Sequence, residues 1–303
     1  MIRKKPPRIM LTGKNGQVGW ELQRTLASIG DVIAMGREEL DLEKPEQICK
    51  MVRRIKPDII VNAAAYTAVD KAEEEPERAA AVNSTAPGIL AEETKKINAL
   101  LVHYSTDYIF DGKKMTPYNE DDMPNPINVY GRTKLAGECA IQDVGTPHLI
   151  LRTSWVYGSR GNNFFMTILR LASEREELRI VDDQIGTPTW SRFLAEVTAQ
   201  MMQKIIPSQL AECREIYNVV PSGQTSWYGF AESIIENYRQ FNCDSSRLKV
   251  KRLVPIATSE YPTIASRPAY SALLNGKLID EINIDIRNWR NILHSAMREE
   301  IRI

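Results

Sequence analysis

The chain has few of the residues from which metal sites and disulfide frameworks are built. Only 4 cysteines and 3 histidines occur among its 303 residues, and the cysteines form no CxxC or other ligand spacing. This scarcity argues against a zinc site and indicates free thiols in a reducing compartment. We therefore expect no metal site within the chain, and the sequence leaves open a divalent metal at a subunit contact.

An excess of charge and a long apolar run are also missing. Lysine plus arginine (39) balances aspartate plus glutamate (39), whereas a general nucleic-acid binder or a polybasic membrane-surface protein needs excess positive charge. No apolar run approaches the roughly 18 residues of a membrane span. The apolar stretch 9–11 after the basic start is too short for the core of a signal peptide. We expect a cytoplasmic protein with no nucleic-acid or membrane partner.

Short apolar runs alternate with segments of helical periodicity through the first half of the chain. Runs that are apolar on both faces are typical of strands in a parallel sheet that is covered by helices on both sides. The pattern predicts an α/β fold with a doubly wound parallel sheet of the Rossmann type. Pro87 is expected to bend or break one of the helices. The predicted strands cover 9–12, 32–35, 58–62, 100–106 and 149–153, and the predicted helices 18–29, 45–55, 76–98 and 129–142.

After about residue 156 the alternation becomes less regular, which indicates a second structural unit. Residues 1–158 are predicted to form an NAD(P)-binding domain, and residues 159–303 mainly a smaller C-terminal substrate-binding domain. Parts of 178–225 are expected to return to the first domain, because strand-like runs recur there. No linker of distinct composition marks the boundary.

A glycine-rich loop joins the first predicted strand to the first predicted helix. Gly13, Gly16 and Gly19 form a GxxGxxG run. Gly13 permits a tight turn, Gly16 lets the backbone approach a pyrophosphate, and Gly19 lets the helix lie close to the sheet. The free N–H groups of the helix N-terminus can then bind the phosphates. The loop predicts dinucleotide binding, with a purely structural turn as the alternative.

The second predicted strand ends at the place where Rossmann-type folds contact the 2′ position of the cofactor's adenosine ribose. A carboxylate there favours NAD, whereas Arg37 can pair with a 2′-phosphate, so NADPH is favoured. Two glutamates follow directly and leave acceptance of NADH open, and a solvated surface role for Arg37 is the alternative. Asp41 and Leu42 could flank the adenine or belong to a surface turn.

Tyr130 is the only tyrosine with a lysine four residues later, Lys134. On a helix the two side chains share a face, and the ammonium is expected to lower the pKa of the phenol from about 10 toward neutrality. Such a phenol can donate a proton to an alkoxide. Thr106 closes the fourth strand, and its hydroxyl could stabilise charge on a substrate oxygen. A chance helix-surface pair and a strand-end cap are the alternatives.

Several sequence blocks together resemble the extended short-chain dehydrogenase/reductase superfamily and, within it, the dTDP-4-dehydrorhamnose reductase family. They occur in the family's order from about Arg8 to near Arg267, and they are specific together although each alone is not. The blocks are 16–22 (GQVGWEL), 67–73 (TAVDKAE), 105–108 (STDY), 128–131 (NVYG), 152–158 (RTSWVYG), 183–189 (DQIGTPT) and 266–268 (SRP).

The resemblance implies reduction of the C4 keto group of dTDP-4-dehydro-β-L-rhamnose to dTDP-β-L-rhamnose by NAD(P)H. Thr106, Tyr130 and Lys134 would be catalytic: Tyr130 would donate the proton, Lys134 would hold the nicotinamide ribose, and Thr106 would bind the sugar oxygen. The residues expected at the cofactor are Gly13, Gly16, Gln17, Val18, Gly19, Arg37, Asp41, Leu42, Ala65, Thr67, Tyr104, Tyr130 and Lys134. The residues expected at the sugar nucleotide are Thr106, Asp107, Trp155, Asn163 and Arg267.

Two other functions stay open. One is another sugar-nucleotide 4-keto reductase or epimerase on the same scaffold. The other is a non-catalytic NADP-binding regulatory subunit, against which the intact catalytic set argues. Related 4,6-dehydratases carry Thr-Asp-Glu where this chain has Tyr108 in the third position, so elimination lacks its expected acidic partner. A homodimer is compatible with the resemblance, and the sequence leaves the oligomeric state open.

Overall fold

The computed structural model describes residues 5–205, 212–241 and 247–300, and strands form its centre. The first five strands are β1 (Arg8–Thr12), β2 (Asp31–Met35), β3 (Ile59–Asn62), β4 (Leu100–Thr106) and β5 (His148–Thr153). Seven more follow: β6 (Val156–Tyr157), β7 (Glu177–Val181), β8 (Ile185–Gly186), β9 (Thr189–Trp190), β10 (Arg214–Asn218), β11 (Thr225–Ser226) and β12 (Arg252–Ile256). Six strands form one parallel sheet in the order β10-β5-β4-β3-β1-β2.

Helices cover both faces of this sheet, so its inner strands β1, β3, β4 and β5 are almost entirely buried. The edge strands β2 and β10 are partly exposed. The helices are α1 (Gln17–Thr25), α2 (Pro45–Ile55), α3 (Val69–Glu74), α4 (Pro76–Ala80), α5 (Ala86–Lys96), α6 (Val129–Val144), α7 (Phe164–Glu174), α8 (Ser191–Ile205), α9 (Trp227–Phe241), α10 (Gly276–Ile282) and α11 (Trp289–Glu300). One apolar core contains residues of α1, α8 and α9, and a second contains residues of α2, α5 and α6. The predicted doubly wound parallel sheet is confirmed. None of the described helices is both long and apolar enough to cross a membrane.

The helical segment around Pro87 continues through the proline. A π-helical turn, Ala81–Thr85, joins α4 to α5 directly before it. Proline lacks the N–H that an α-helical hydrogen bond requires, and the wider turn lies where that bond is missing. The irregularity predicted at this proline is thus a π turn within a continuous helical segment.

The second half of the chain contributes to the main sheet as well as to a separate layer. β10 pairs with β5 at one edge of the sheet, and α8 packs against α1. β7 instead pairs with β12, outside the main sheet. A domain boundary near residue 158 stays a prediction. Of the four cysteines, Cys49, Cys139 and Cys213 are free thiols, and Cys243 lies outside the described residues.

The strand order creates a cleft at the carboxyl ends of β1 and β3. From β1 the chain crosses to β2 on one side and then returns to β3 on the other. Ligands of open α/β sheets bind at such a reversal point, because the connections leave a crevice there. The glycine loop and the ends of β4 and β5 face the same edge of the sheet.

Candidate active site

A cavity of about 530 Å³ lies at this reversal point. It brings together nearly the whole set of predicted cofactor residues, from the glycine loop to the end of β4 and the start of α6. Only Gly19 of that set is not in its wall. The predicted residues in the wall are Gly13, Gly16, Gln17, Val18, Arg37, Asp41, Leu42, Ala65, Thr67, Tyr104, Tyr130 and Lys134.

The three glycines of the loop have different physical roles. Gly13 has φ +76°, and a Cβ there would lie 2.8 Å from the backbone nitrogen of Ala64. A Cβ on Gly19 would lie 2.1 Å from the carbonyl oxygen of Gly13. Within the part of the chain that the structure describes, a Cβ on Gly16 would meet only that same oxygen, at 3.3 Å, so its remaining side is open toward the cavity. Two glycines therefore let the turn close, and the third leaves room for a ligand.

The wall of the cavity also contains two buried hydroxyls that sequence reasoning missed. Ser105 Oγ and Thr153 Oγ1 have no hydrogen-bond partner among the described residues, although both are buried. They follow the same rule as Thr106, since polar residues at the carboxyl ends of adjacent parallel strands meet at one edge. The open side of the glycine loop and these hydroxyls fit a dinucleotide with a polar ribose and pyrophosphate. Asn15 and Asn162 are further wall residues that carried no clear sequence signal.

Arg37 lies at the mouth of the cavity with its side chain 61% exposed. Its guanidinium forms an ion pair with Glu43 and lies 3.8 Å from an oxygen of Asp41. Arg78 also donates to Glu43, at 2.9 Å. A 2′-phosphate bound here would therefore compete with carboxylates for Arg37.

Thr106, Tyr130 and Lys134 converge at the end of β4. Asn128 caps α6, because its Oδ1 accepts a hydrogen bond from the backbone N–H of Gly131 at 2.7 Å. This cap starts the helix at the turn that carries Tyr130, with Lys134 one turn later. A hydrogen bond with Thr106 also acts on the Tyr130 phenol. The predicted catalytic set is thus assembled at one place.

The predicted direction of the Tyr130 pKa shift was wrong. Burial raises the pKa of Tyr130 to about 12, the charge of Asp107 adds to the rise, and the hydrogen bond with Thr106 opposes it. The Lys134 amine instead donates to the carbonyl oxygen of Tyr104 at 2.5 Å. Tyr130 is therefore a protonated phenol at neutral pH, which is the state that a proton donor requires.

Lys134 and Asp107 have pKa values near the physiological range. Lys134 is 1% exposed, and its burial lowers the pKa of the amine to about 8, whereas the carboxylate of Glu138 opposes this shift. Burial raises the pKa of Asp107 to about 7. The Thr106 hydroxyl donates to Asp107 Oδ1 at 3.0 Å and accepts from the Tyr108 N–H at 3.2 Å. Thr106 is thus also the strand-end cap that sequence reasoning left open.

A second cavity, of about 1090 Å³, contains Arg267. Tyr108 lines it and packs edge-on against Tyr130, with ring centroids 5.7 Å apart. The Tyr108–Tyr130 pair thus connects the wall of the second cavity with that of the first. Arg267 donates to Asp70 at 2.8 Å, and its second terminal nitrogen is buried without a partner among the described residues.

Two predicted substrate residues make contacts within the protein. Trp155 has φ +45° and stacks on Trp227, with ring centroids 3.5 Å apart. Trp227 itself lines the second cavity. Asn163 caps α7 by accepting from the N–H of Met166 at 3.0 Å, and its amide donates to Gln17 at 3.0 Å. Asn163 therefore holds the loop before α7 against the glycine-loop helix.

Comparisons with known proteins identify the family of this chain. A family described as "RmlD substrate binding domain" matches residues 7–301. The chain belongs to this family. It is 47% identical over 294 residues to a dTDP-4-dehydrorhamnose reductase of Burkholderia thailandensis, which covers 96% of this chain and 98% of the relative. A protein of the same name from Escherichia coli K12 is 44% identical over 286 residues, with 93% of this chain and 94% of the relative covered.

A solved structure of the RmlD family shares the whole fold. It is a dTDP-4-dehydrorhamnose reductase from Bacillus anthracis in complex with NADP. It is 35% identical to this chain with a TM-score of 0.86, and the match covers 98% of this chain and 100% of the other. The resemblance read from the sequence blocks is therefore confirmed at the level of the family.

Proposed function

We propose that this protein is a dTDP-4-dehydrorhamnose reductase that acts in dTDP-rhamnose biosynthesis. It reduces the C4 keto group of dTDP-4-dehydro-β-L-rhamnose with NADPH. The observation that carries the proposal is that Tyr130 and Lys134 lie in the wall of a cavity that begins at a GxxGxxG loop, with Thr106 beside the Tyr130 phenol. The names of relatives that are 44–47% identical over nearly the whole chain support the substrate.

The wall of the first cavity would hold the cofactor. Gly16 would admit the pyrophosphate at the N-terminus of α1, and Arg37 would face the adenosine 2′-phosphate. When bound, NADPH supplies the hydride for the C4 carbon. Lys134 would hold the nicotinamide ribose, with the buried hydroxyl of Ser105 nearby in the wall.

Tyr130 would complete the reduction by protonating the C4 oxygen. Its pKa of about 12 keeps the phenol protonated until an alkoxide, which is a stronger base, develops next to it. The Thr106 hydroxyl, which donates to Asp107 Oδ1 in the structure, would turn to donate to the same oxygen while charge builds on it. The proton thus passes from the phenol to the product hydroxyl, and the resulting phenolate is reprotonated from solvent.

The second cavity would bind the nucleotide part of the substrate. The unpartnered nitrogen of Arg267 can donate to a diphosphate oxygen, since guanidinium geometry suits such groups. Asp107, Trp155 and Asn163 stay predicted substrate residues. Asp107 is buried beside Thr106, whose hydroxyl donates to its Oδ1 at 3.0 Å.

An assay of substrates and one variant tests the function. Purified protein is given a panel of 4-keto sugar nucleotides with NADPH or NADH, and cofactor oxidation is followed by absorbance. We expect turnover with the dTDP-4-keto-rhamnose precursor and preference for NADPH. Turnover with a different sugar only would favour another reductase or epimerase, and cofactor binding without turnover would favour a regulatory subunit.

Tyr130→Phe tests the proton donor within that assay. We expect kcat to fall by about 10² to 10⁴, with little change in NADPH affinity, because the phenol acts on the substrate oxygen. Tyr238→Phe, near the C-terminal end of α9, is the matched control and should keep kcat. An unchanged kcat in Tyr130→Phe would exclude this residue as the proton donor.

A homodimer and a cytoplasmic location complete the proposal. The homodimer is compatible with the family resemblance, and the cytoplasmic location rests on the few, scattered cysteines. Sedimentation analysis of the purified protein and cell fractionation test them. A monomer under assay conditions would exclude the homodimer. Recovery of the protein in the membrane fraction would exclude the cytoplasmic location.

A further inference from the structure

Lys134 belongs to a line of buried polar side chains that crosses three adjacent strands. Its amine lies 3.3 Å from His103 Nε2 on β4. His103 Nδ1 lies 3.0 Å from Asn62 Nδ2 on β3, and Asn62 Oδ1 accepts from Thr12 Oγ1 on β1 at 2.6 Å. All four residues are at most 2% exposed. Sheet register explains the line, since Thr12 pairs with Asn62 and Asn62 pairs with His103.

The hydrogens in this line can be arranged in only two complete ways. With the Asn62 N–H donating to His103 Nδ1, a neutral imidazole carries its proton on Nε2. That proton faces the Lys134 amine, which must then accept it and be uncharged. Lys134 still donates to the Tyr104 carbonyl oxygen, so every group has a partner.

Protonation of Lys134 reverses the direction of the hydrogen bonds along this line. An ammonium has no lone pair and must donate to His103 Nε2. The imidazole proton then lies on Nδ1, so the Asn62 amide must present its oxygen to His103 and its N–H to Thr12. The oxygen and nitrogen of an amide occupy nearly equivalent positions, so the same pocket accepts both orientations. Lys134 gains one proton from solvent, and the proton count of His103 does not change.

We propose that His103 is a positioning residue for Lys134, and that its imidazole changes tautomer, together with a rotation of the Asn62 amide, when the Lys134 amine gains or loses a proton. The line ends at Thr12, which lies in the wall of the first cavity beside the glycine loop. The charge of Lys134 and the orientation of the Thr12 hydroxyl are thereby coupled. The inference rests on the proposed function for the catalytic role of Lys134, but not for the tautomer change itself.

The surroundings of Lys134 place this change within an accessible pH range. Burial lowers the pKa of Lys134 to about 8, and Glu138, one turn along α6, is the carboxylate that opposes the shift. Glu138 is itself paired with Arg152 on β5 at 2.7 Å. Burial and the nearby Lys134 charge keep the pKa of His103 well below its ordinary value, so the imidazole stays neutral. Tyr130, the remaining titratable neighbour on α6, stays a phenol.

The tautomer change can be measured without substrate or turnover. The chain has only 3 histidines, so ¹⁵N-labelled imidazoles give a simple long-range ¹⁵N–¹H spectrum. We expect His103 to carry its proton on Nε2 at pH 9.5 and on Nδ1 at pH 6.5. The pH midpoint of this tautomer change should equal the midpoint at which the Lys134 ¹³Cε resonance titrates. His148 is the internal reference, because its Nδ1 lies 2.8 Å from the Thr146 carbonyl oxygen and should stay protonated. In Lys134→Met the pH dependence of His103 should vanish.

Two His103 variants test the effect on the reaction. In His103→Leu the Lys134 ammonium loses a hydrogen-bond acceptor, so the amine should lose its proton at a lower pH. The alkaline limb of the plot of kcat against pH should therefore move to lower pH, and kcat at pH 8.5 should fall about tenfold. His103→Gln offers an amide in place of Nε2 and should restore the profile. His148→Leu removes another buried histidine of the same sheet and should leave the shape of the profile unchanged.

Two results would overturn the inference. One is a constant His103 tautomer while the Lys134 resonance titrates. The other is a folded His103→Leu protein with an unmoved pH profile. If the wild-type protein fails to reduce any 4-keto sugar nucleotide, the proposed function fails instead, and the spectrum still decides the tautomer change. If His103→Leu does not fold, the wild-type and Lys134→Met spectra decide it alone.

Discussion

The guanidinium of Arg267 donates a hydrogen bond to the carboxylate of Asp70 at 2.8 Å, across 197 positions of the chain. The same carboxylate accepts from the backbone N–H of Ala265 at 3.0 Å. Asp70 therefore fixes both the arginine and the segment that carries it at the second cavity. The nitrogen of Arg267 that Asp70 does not bind remains available for a ligand.

Arg267→Lys should weaken binding of the sugar nucleotide selectively. Lysine keeps the charge but cannot bind Asp70 and a diphosphate oxygen in the same forked geometry. A hydrogen bond to a charged group contributes about 1.5 to 3 kcal/mol, so KM for the sugar nucleotide should rise by about 10-fold to 100-fold. KM for NADPH should not change. Steady-state kinetics with each substrate varied measures both, and Arg54→Lys on the exposed side of α2 is the control. An equal rise in both KM values would contradict a specific contact.

Gly16→Ala and Gly19→Ala should separate ligand binding from folding. Among the described residues, a Cβ on Gly16 meets only one atom, at 3.3 Å, but it projects toward the space where a phosphate would lie. A Cβ on Gly19 would collide with the backbone of Gly13 at 2.1 Å. Gly16→Ala should therefore weaken NADPH binding by about tenfold or more and keep Tm within a few degrees, whereas Gly19→Ala should lower Tm strongly.

Fluorescence titration with NADPH and thermal unfolding measure these two effects. Gly276→Ala is the matched control, since a Cβ at that position meets nothing closer than 3.9 Å. It should change neither affinity nor Tm appreciably. A Gly16→Ala protein with wild-type affinity for NADPH would exclude close approach of a phosphate at this glycine.

Local spacing was sufficient to predict several parts of the site. The glycine loop and the Tyr130–Lys134 pair each lie within one strand–loop–helix or one helix, so their geometry follows from short-range rules. The predicted direction of the Tyr130 pKa shift was wrong, because this pKa depends on the burial of the phenol and on the charge of Asp107, which lies outside α6. The stack of Trp155 on Trp227 likewise joins distant segments.

The polar line from Thr12 to Lys134 shows why the rest required the structure. Three of its residues lie on β1, β3 and β4, which are neighbours in space although β1 and β3 are not consecutive in the chain. The identity of each residue was visible in the sequence, but the register that aligns them was not. Sequence periodicity predicts strands, whereas strand order and register come from packing.

The ion pair between Glu93 on α5 and Arg53 on α2 should make stability depend on pH. Arg53 donates two hydrogen bonds to the Glu93 carboxylate, each 2.7 Å long, and Glu93 is 1% exposed. These bonds lower the pKa of Glu93 from 4.5 to about 2. A carboxyl with a lowered pKa stabilises the folded state fully above its ordinary pKa. That contribution is lost as the pH falls from about 4.5 through 2.

Glu93→Gln should therefore destabilise the protein at pH 7 more than at pH 3. We expect a loss of about 1 to 3 kcal/mol in the free energy of unfolding at pH 7, because the charge-assisted bonds are weakened. Urea unfolding at both pH values measures the difference. Glu174→Gln, in the exposed pair with Arg170, is the control and should cost less than about 1 kcal/mol. Equal losses at the two pH values would show that the charge of Glu93 is not the cause.

Arg37→Gln should change the choice of cofactor rather than overall activity. The guanidinium is exposed and already paired with Glu43. A 2′-phosphate must replace that carboxylate, so binding gains only the difference between the two interactions with Arg37. We therefore expect a modest rise in KM for NADPH, about tenfold, with KM for NADH within about twofold of the wild type. Kinetics with each cofactor at a saturating concentration of sugar nucleotide measures the ratio. Arg24→Gln, a cation of α1 that packs over Trp20, is the control and should leave the ratio unchanged. If Arg37→Gln raises both KM values equally, Arg37 supports the loop as a whole, because only a contact with the 2′-phosphate distinguishes the two cofactors.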